Sequence, residues 1–242
     1  MPRFFVEPFD GENIVLDGEN AKHISKSLRM KIGDIVTLSD SSGTDYGCAI
    51  TAIDKSTVSL KVLYSSPSEV EPTVNVTLYQ GVPKGDKMEE IIQKCVEIGV
   101  TKIVPVLTSR SVSRPDEKSA LKKNARYQKI ALEAAKQSGR GIIPQVMPMI
   151  TFDKAIIDSD EELKILFYEG GGKPLNQIID ASKGVKNIAI FIGPEGGFEQ
   201  SEVEKITEKG AVSATLGKRI LRTQTAPVTA LSCIMLLTGN LE

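Results

Sequence analysis

Histidine is almost missing from this 242-residue chain: His23 is the only one. One imidazole excludes an HExxH zinc site and a two-histidine iron site, and it leaves little room for a Ser-His-Asp triad. No metal is therefore expected. Tryptophan is absent and aromatics make up 5% of the chain, so the core must be aliphatic. Cysteine is scarce too. Cys48, Cys95 and Cys233 lie far apart, form no CxxC and allow no disulfide framework, which fits a reducing cytoplasm. No long hydrophobic run exists: Ala226–Leu237 is too short to span a bilayer and contains Thr229 and Ser232. The opening MPRFFVEPFD lacks a basic region followed by an apolar one, so no signal peptide and no membrane partner are expected. A net charge of −1 gives no hint of a polyanionic partner by itself.

The distribution of charge says more. Residues 101 to 140 hold ten Lys or Arg against three Asp or Glu, a net of +7, and the remainder holds 20 basic and 28 acidic residues. This basic stretch reads either as a solvated helix face or as a nucleic-acid footprint.

The first 70 residues read as β-rich, with strands at 3–6, 13–16, 35–39, 46–53 and 58–63 and one helix over 20–29. Many short strands separated by glycine turns point to a small barrel. Residues 65–72, SSPSEVEP, have the composition of a linker. From residue 73 to 242 strands alternate with helices, which predicts an α/β domain with a mostly parallel sheet. Its strands are read at 73–80, 102–107, 163–168, 187–192 and 211–216, and its helices at 86–99, 117–138 and 225–238. In the first helix Met88, Ile91, Ile92, Cys95 and Val96 recur at helical spacing, and Gly99 closes it.

Three of these strands run into loops of small residues: Glu169-Gly170-Gly171-Gly172, Gly193-Pro194-Glu195-Gly196-Gly197, and Gly217. In a parallel sheet all three lie at the carboxyl edge, where open α/β sheets bind ligands. The Gly193 loop fits neither GxGxxG nor GxxxxGK[ST], and Glu195 would repel a triphosphate. A carboxylate among exposed backbone N–H groups suits hydroxyls or a positive centre, and S-adenosyl-L-methionine (SAM) has both. The plainer alternative is that the glycines only make a tight turn and Glu195 caps local backbone. Ser201 and Glu204 have the spacing of a capping box at a helix start near Ser201. Downstream, LGKRILRTQTAPVTAL (216–231) offers an apolar slot for adenine in Leu216, Ile220 and Leu221, or plain core, beside Lys218, Arg219 and Arg222.

GPEGGF with a following Ser-Glu, together with LGKRILRTQTA, resembles the SPOUT-class RNA methyltransferases. In particular it resembles the family that methylates N3 of a uridine in 16S ribosomal RNA. KGDKMEEIIQKCVEIGVTKIVP (84–105), RYQKIALEAAKQSGR (126–140) and HISKSLRMKIGDIV (23–36) agree, so the resemblance spans nearly the whole chain. It implies a PUA-like barrel over 1–70 and a methyltransferase domain over 73–242 threaded as a trefoil knot, acting as a homodimer on 16S rRNA of the small ribosomal subunit. It also implies a SAM site from Leu166, Phe167, Gly193, Pro194, Glu195, Gly196, Gly197, Leu216, Gly217, Ile220, Leu221, Thr223, Thr225 and Ala226. Arg222 is the candidate cation beside the reacting base, with Arg140 second. Arg110, Arg114, Lys122, Lys123, Arg126 and Arg140 are candidates for an RNA path. His23 falls in the barrel as a structural or RNA-facing residue. One departure stands out: the family usually has Glu in R-T-E-T, where this chain has Gln224. That keeps alive the alternative of a non-catalytic RNA-binding assembly protein.

Overall fold

The computed structural model describes residues 1–241. Two compact units emerge: Met1–Glu71 with Ala135–Ile143, and Pro72–Ala134 with the chain from Pro144 onward.

The first unit contains β1 (Arg3–Phe5), β2 (Asn13–Leu16), α1 (Gly18–Lys22), β3 (Ile35–Ser39), β4 (Thr44–Ile53) and β5 (Val58–Pro67). The strands form one sheet in the order β1-β3-β4-β5-β2. Only the β1–β3 pair is parallel. Alternation sends Val36, Leu38, Cys48, Ile50, Val58 and Leu60 inward with Phe4, Leu16 and Ile24. The helix predicted over 20–29 is interrupted. After Lys22 it widens into a π turn over His23–Ser27, where the Leu28 N–H reaches back to the His23 carbonyl. Ser25 Oγ donates to the Ala21 carbonyl at 2.7 Å, a back-bond of the kind that loosens the regular ladder. His23 is exposed and stands edge-on to Phe4 with ring centres 5.7 Å apart. The stretch read as a linker from Ser65 begins as strand instead. Ser65, Ser66 and Pro67 pair with Tyr46, Asp45 and Thr44, because backbone pairing needs no apolar side chain and proline is tolerated at a strand end.

Arg140 requires a correction. It was expected at an RNA path or beside the base, yet only 4% of it is exposed. Its guanidinium grips Glu71 through Nε at 3.3 Å and Nη2 at 2.5 Å. The same carboxylate accepts the Gly141 and Ile142 N–H groups at 2.8 and 3.1 Å. Ser39 Oγ donates to the Gly141 carbonyl at 2.7 Å. A buried guanidinium already committed to a carboxylate is a structural clasp and has no face left for phosphate.

The second unit contains β6 (Asn75–Gly81), α2 (Lys87–Ile98), β7 (Lys102–Leu107), all but the last four residues of α3 (Glu117–Ser138), β8 (Gln145–Val146), β9 (Ile150–Thr151), α4 (Phe152–Asp158), β10 (Leu163–Phe167), β11 (Lys173–Pro174), α5 (Leu175–Ala181), β12 (Asn187–Ile192), α6 (Gln200–Glu208), β13 (Val212–Thr215) and α7 (Thr225–Leu237). The strand order is β11-β13-β10-β12-β6-β7-β8, with β9 also on β7, and every pairing is parallel. Strand alternation splits the aliphatic core between two faces. Tyr79, Val104, Leu166, Ala189 and Phe191 meet Phe152, Ile156, Phe198 and Ile206 on one face. Tyr79 and Phe191 stack there with ring centres 4.4 Å apart. Leu78, Ile103, Ile165 and Ile190 alternate onto the other, where α7 packs against α2, α5, β6 and β12. Each such fully buried side chain stabilises the fold by about 1.5–3 kcal/mol.

The start of α6 also differs from expectation. Its N-cap is Glu199 and the residue reaching back is Glu202, so the capping box stands two residues before the Ser201–Glu204 pair. Glu202 is buried, accepts the Glu199 N–H at 2.9 Å, and accepts both the backbone N–H and hydroxyl of Ser109. Ser109 recruits Glu202 inward, and the helix starts where that register requires. Among the described residues no helix is long and apolar enough to cross a membrane, and no group of His, Cys, Asp or Glu converges as a metal site.

Candidate functional site

The carboxyl ends of β10, β12 and β13 open onto a cleft of about 460 Å³ in the second unit. That size suits a nucleoside-like ligand. Its walls include Phe167, Gly193, Pro194, Glu195, Gly196, Gly197, Leu216, Gly217, Leu221, Thr223 and Ala226. The loops are brought together by strand order, since β13 lies next to β10 and β10 next to β12 although the sequence runs otherwise.

Two expected members are elsewhere. Leu166 is fully buried and belongs to the core under the sheet, because the strand alternation that aims Phe167 at the cleft turns its neighbour away. Thr225 begins α7 and does not line the cleft, and its N–H is used on the Arg222 carbonyl at 2.8 Å. Ile220 lies at the rim and is 87% exposed, so it builds no closed adenine slot within this chain.

Beneath the loops lies a side chain that the sequence reading missed. Gln80, at the end of β6, is fully buried. Its Nε2 donates to the carbonyls of Gly81 at 3.0 Å and Gly193 at 3.4 Å, and to Thr223 Oγ1 at 3.2 Å. Thr223 Oγ1 in turn donates to the Gly193 carbonyl at 2.9 Å. One amide and one hydroxyl thereby tie the Gly193 loop to the segment before α7. Gly81 lets this happen: a Cβ there would lie 2.5 Å from Pro194 Cδ and 2.6 Å from Pro194 N. Only a polar residue followed by glycine at a strand end hinted at this clip.

The two carboxylates of the cleft differ. Glu195 accepts the Lys84 N–H at 3.2 and 3.3 Å and the Lys87 ammonium at 2.5 Å. Partial burial pushes its carboxyl up, but the hydrogen bonds from Lys87, from its own N–H and from Lys84 outweigh that and hold it below the usual carboxylate range. Glu195 therefore anchors the glycine loop to the turn before α2. Glu169, which follows β10, also lines the cleft and has no hydrogen-bond or ion-pair partner among the described residues.

Unpaired cations line the cleft as well. Lys218, Arg219 and Arg222 line the cleft, and none of their side chains is paired among the described residues. Gln224 lies there too, with its side-chain oxygen buried and unpartnered. Arg110 donates to the Gly196 carbonyl at 2.7 Å and covers the glycine loop. Arg114 donates to the Thr108 and Ser109 carbonyls, and Arg126 pairs with Glu89 at 2.7 Å while staying exposed. Lys122 is exposed and Lys123 half-buried on α3.

A fully parallel sheet with a glycine-lined cleft of this size at its carboxyl edge, bearing an uneven set of free charges, is a site for a nucleoside-sized ligand. The comparisons narrow it. The RNA methyltransferase domain family matches residues 70–235, and the RNA methyltransferase PUA domain matches residues 16–63. The ribosomal RNA small subunit methyltransferase E of Bacillus subtilis is 36% identical over 97% of this chain and 96% of its own length. That of Aquifex aeolicus is 30% identical over 97% and 99%. The crystal structure of the Neisseria gonorrhoeae enzyme of that name, bound to S-adenosyl methionine, superposes with a TM-score of 0.88 at 32% identity, covering 98% of both chains. This chain belongs to the ribosomal RNA small subunit methyltransferase E family of RNA methyltransferases.

Proposed function

We propose that the protein transfers a methyl group from SAM to N3 of a uridine in 16S rRNA of the small ribosomal subunit, acting in the cytoplasm as a homodimer. The observation that carries this reading is the unpaired Arg222, which lines the same cleft as the Gly193–Gly197 loop. The residues present fit the cofactor. The glycines let backbone approach it, Phe167, Leu216 and Leu221 offer apolar surface, and Glu169 and Gln224 hold acceptors without donors. When bound, SAM supplies an electrophilic methyl group on a sulfonium. The chain supplies position: the clipped loops hold the reactants in line and exclude water. A uridine that loses its N3 proton spreads charge onto O2 and O4, and Arg222 stands free to stabilise it. Arg110, Arg114, Lys122, Lys123 and Arg126 would contact phosphates, while the target base is read unpaired or flipped. Gln224 in place of the usual Glu keeps an acceptor without charge.

The test is methyl transfer to unmodified small subunits, followed by mapping. One methyl group at N3 of one uridine is expected, and no transfer would overturn the proposal. Arg222→Ala should lower kcat while leaving the SAM dissociation constant unchanged. Equal losses in both would move Arg222 to a cofactor role.

A further inference from the structure

Of the two carboxylates that face the cleft, the sequence directs attention to Glu195, and the geometry points to Glu169. Glu195 is engaged on both oxygens by Lys84 and Lys87. Glu169 is exposed and has no partner of its own among the described residues. It nevertheless has a defined seat. A Cβ on Gly197 would fall 2.5 Å from one Glu169 oxygen and 2.7 Å from the other, so the carboxylate lies flat against the bare Cα of Gly197. Any side chain at 197 would evict it. Gly197 also has φ +67°, the left-handed region that favours glycine. The backbone therefore turns and makes room for an acid at the same residue.

A carboxylate held in place, open to a ligand cleft and left without a donor is half of a hydrogen-bonded pair. We infer that Glu169 is a cofactor-recognition residue, accepting hydrogen bonds from donor groups of the SAM molecule. The chemistry it takes is an uncharged or cationic donor: the vicinal ribose hydroxyls or the α-ammonium. Lys218 and Arg219, which line the same cleft, suit the one anionic group, the α-carboxylate. This inference rests on the cofactor reading given above.

The experiment is calorimetric titration of the full chain with SAM and with 5′-methylthioadenosine, which keeps the ribose hydroxyls and lacks the amino-acid end. Wild type, Glu169→Gln and Glu169→Ala are compared, and the ligand-free melting temperature of each is recorded. Both variants should bind SAM about 10- to 100-fold more weakly, the range for hydrogen bonds to a charged group, with unchanged ligand-free melting. A matching loss for 5′-methylthioadenosine identifies the ribose hydroxyls as the donors, and a loss confined to SAM identifies the ammonium. Wild-type affinity for SAM in both variants would overturn the inference, as would a loss that tracks a fall in ligand-free melting temperature. A wild-type protein that binds no SAM would overturn the cofactor reading instead.

Discussion

Gly81→Ala adds one methyl group in a place that cannot receive it. The new Cβ would lie 2.6 Å from the backbone nitrogen of Pro194 and 3.0 Å from the Gly193 carbonyl carbon, where ordinary contact begins near 3.4 Å. The loop must therefore withdraw by about 1 Å, a displacement that by itself is able to cost about 10²-fold in rate at an active site. It has little freedom to do so. Proline fixes its own φ, and the Gly193 carbonyl is held by Gln80 and Thr223. Overpacking of this kind costs about 1–3 kcal/mol, and for a chain of this size each kcal/mol lowers the melting temperature by about 2–4 °C. We expect a fall of several degrees in calorimetry and at least a tenfold loss in SAM affinity, although Gly81 does not line the cleft. Gly196→Ala is the control. Its Cβ would come nearest to Arg110 Cβ and Cδ, at 3.2 and 3.3 Å, which asks a side chain and no backbone to give by a few tenths of an ångström, so its stability should fall less than that of Gly81→Ala. A Gly81→Ala protein with wild-type melting and wild-type SAM affinity would refute the argument that the strand end sets the loop.

Two further perturbations separate scaffold from chemistry. Arg140→Ala leaves Glu71 half-buried without its cation, and denaturant unfolding should show a loss of about 3 kcal/mol, the lower end for a broken buried pair because the Gly141 and Ile142 N–H groups remain on the carboxylate; unchanged stability with weakened RNA binding would return Arg140 to the RNA path. Glu195 has a carboxyl held below its ordinary value of 4.5, so its stabilising contribution is full above that pH and is lost as pH falls through the lowered value. The stability gap between wild type and Glu195→Gln should accordingly shrink as pH falls below the ordinary value of 4.5 and through the lowered one, and a gap that is flat with pH would show that the Lys87 contact contributes nothing.

The elements with strong periodicity were legible from sequence. The apolar faces of α2 and the run of β12 announce themselves because burial on one or both faces of a regular element leaves a repeating trace. The two-residue strands β8, β9 and β11 leave none, and α5 is seven residues long with three buried side chains, too short for a period to stand out. At the site, the glycine loops were visible, but not which residues face the ligand. Leu166 and Phe167 are neighbours in sequence and opposites in space. Glu195 looked like the ligand carboxylate because its partner Lys87 stands 108 residues away. Glu169 looked like one residue of a turn because its freedom is defined by what fails to reach it. Arg140 read as part of a basic stretch because Glu71, the carboxylate that holds it, lies 69 residues away in sequence. In each case composition and spacing describe the chain locally, while the role is set by strand order.

The clip beneath the cleft has a consequence for synthesis. Gln80 and β6 emerge early from the ribosome, while Thr223, its partner, emerges more than 140 residues later. Until then the Gly193 carbonyl has only a distant amide to hold it, and α7, which covers β6 and β12, has not been made. A nascent chain can therefore own a nearly complete parallel sheet and still have no site. Ligand affinity should switch on late and abruptly as the chain grows, so that cofactor binding itself reports a finished molecule.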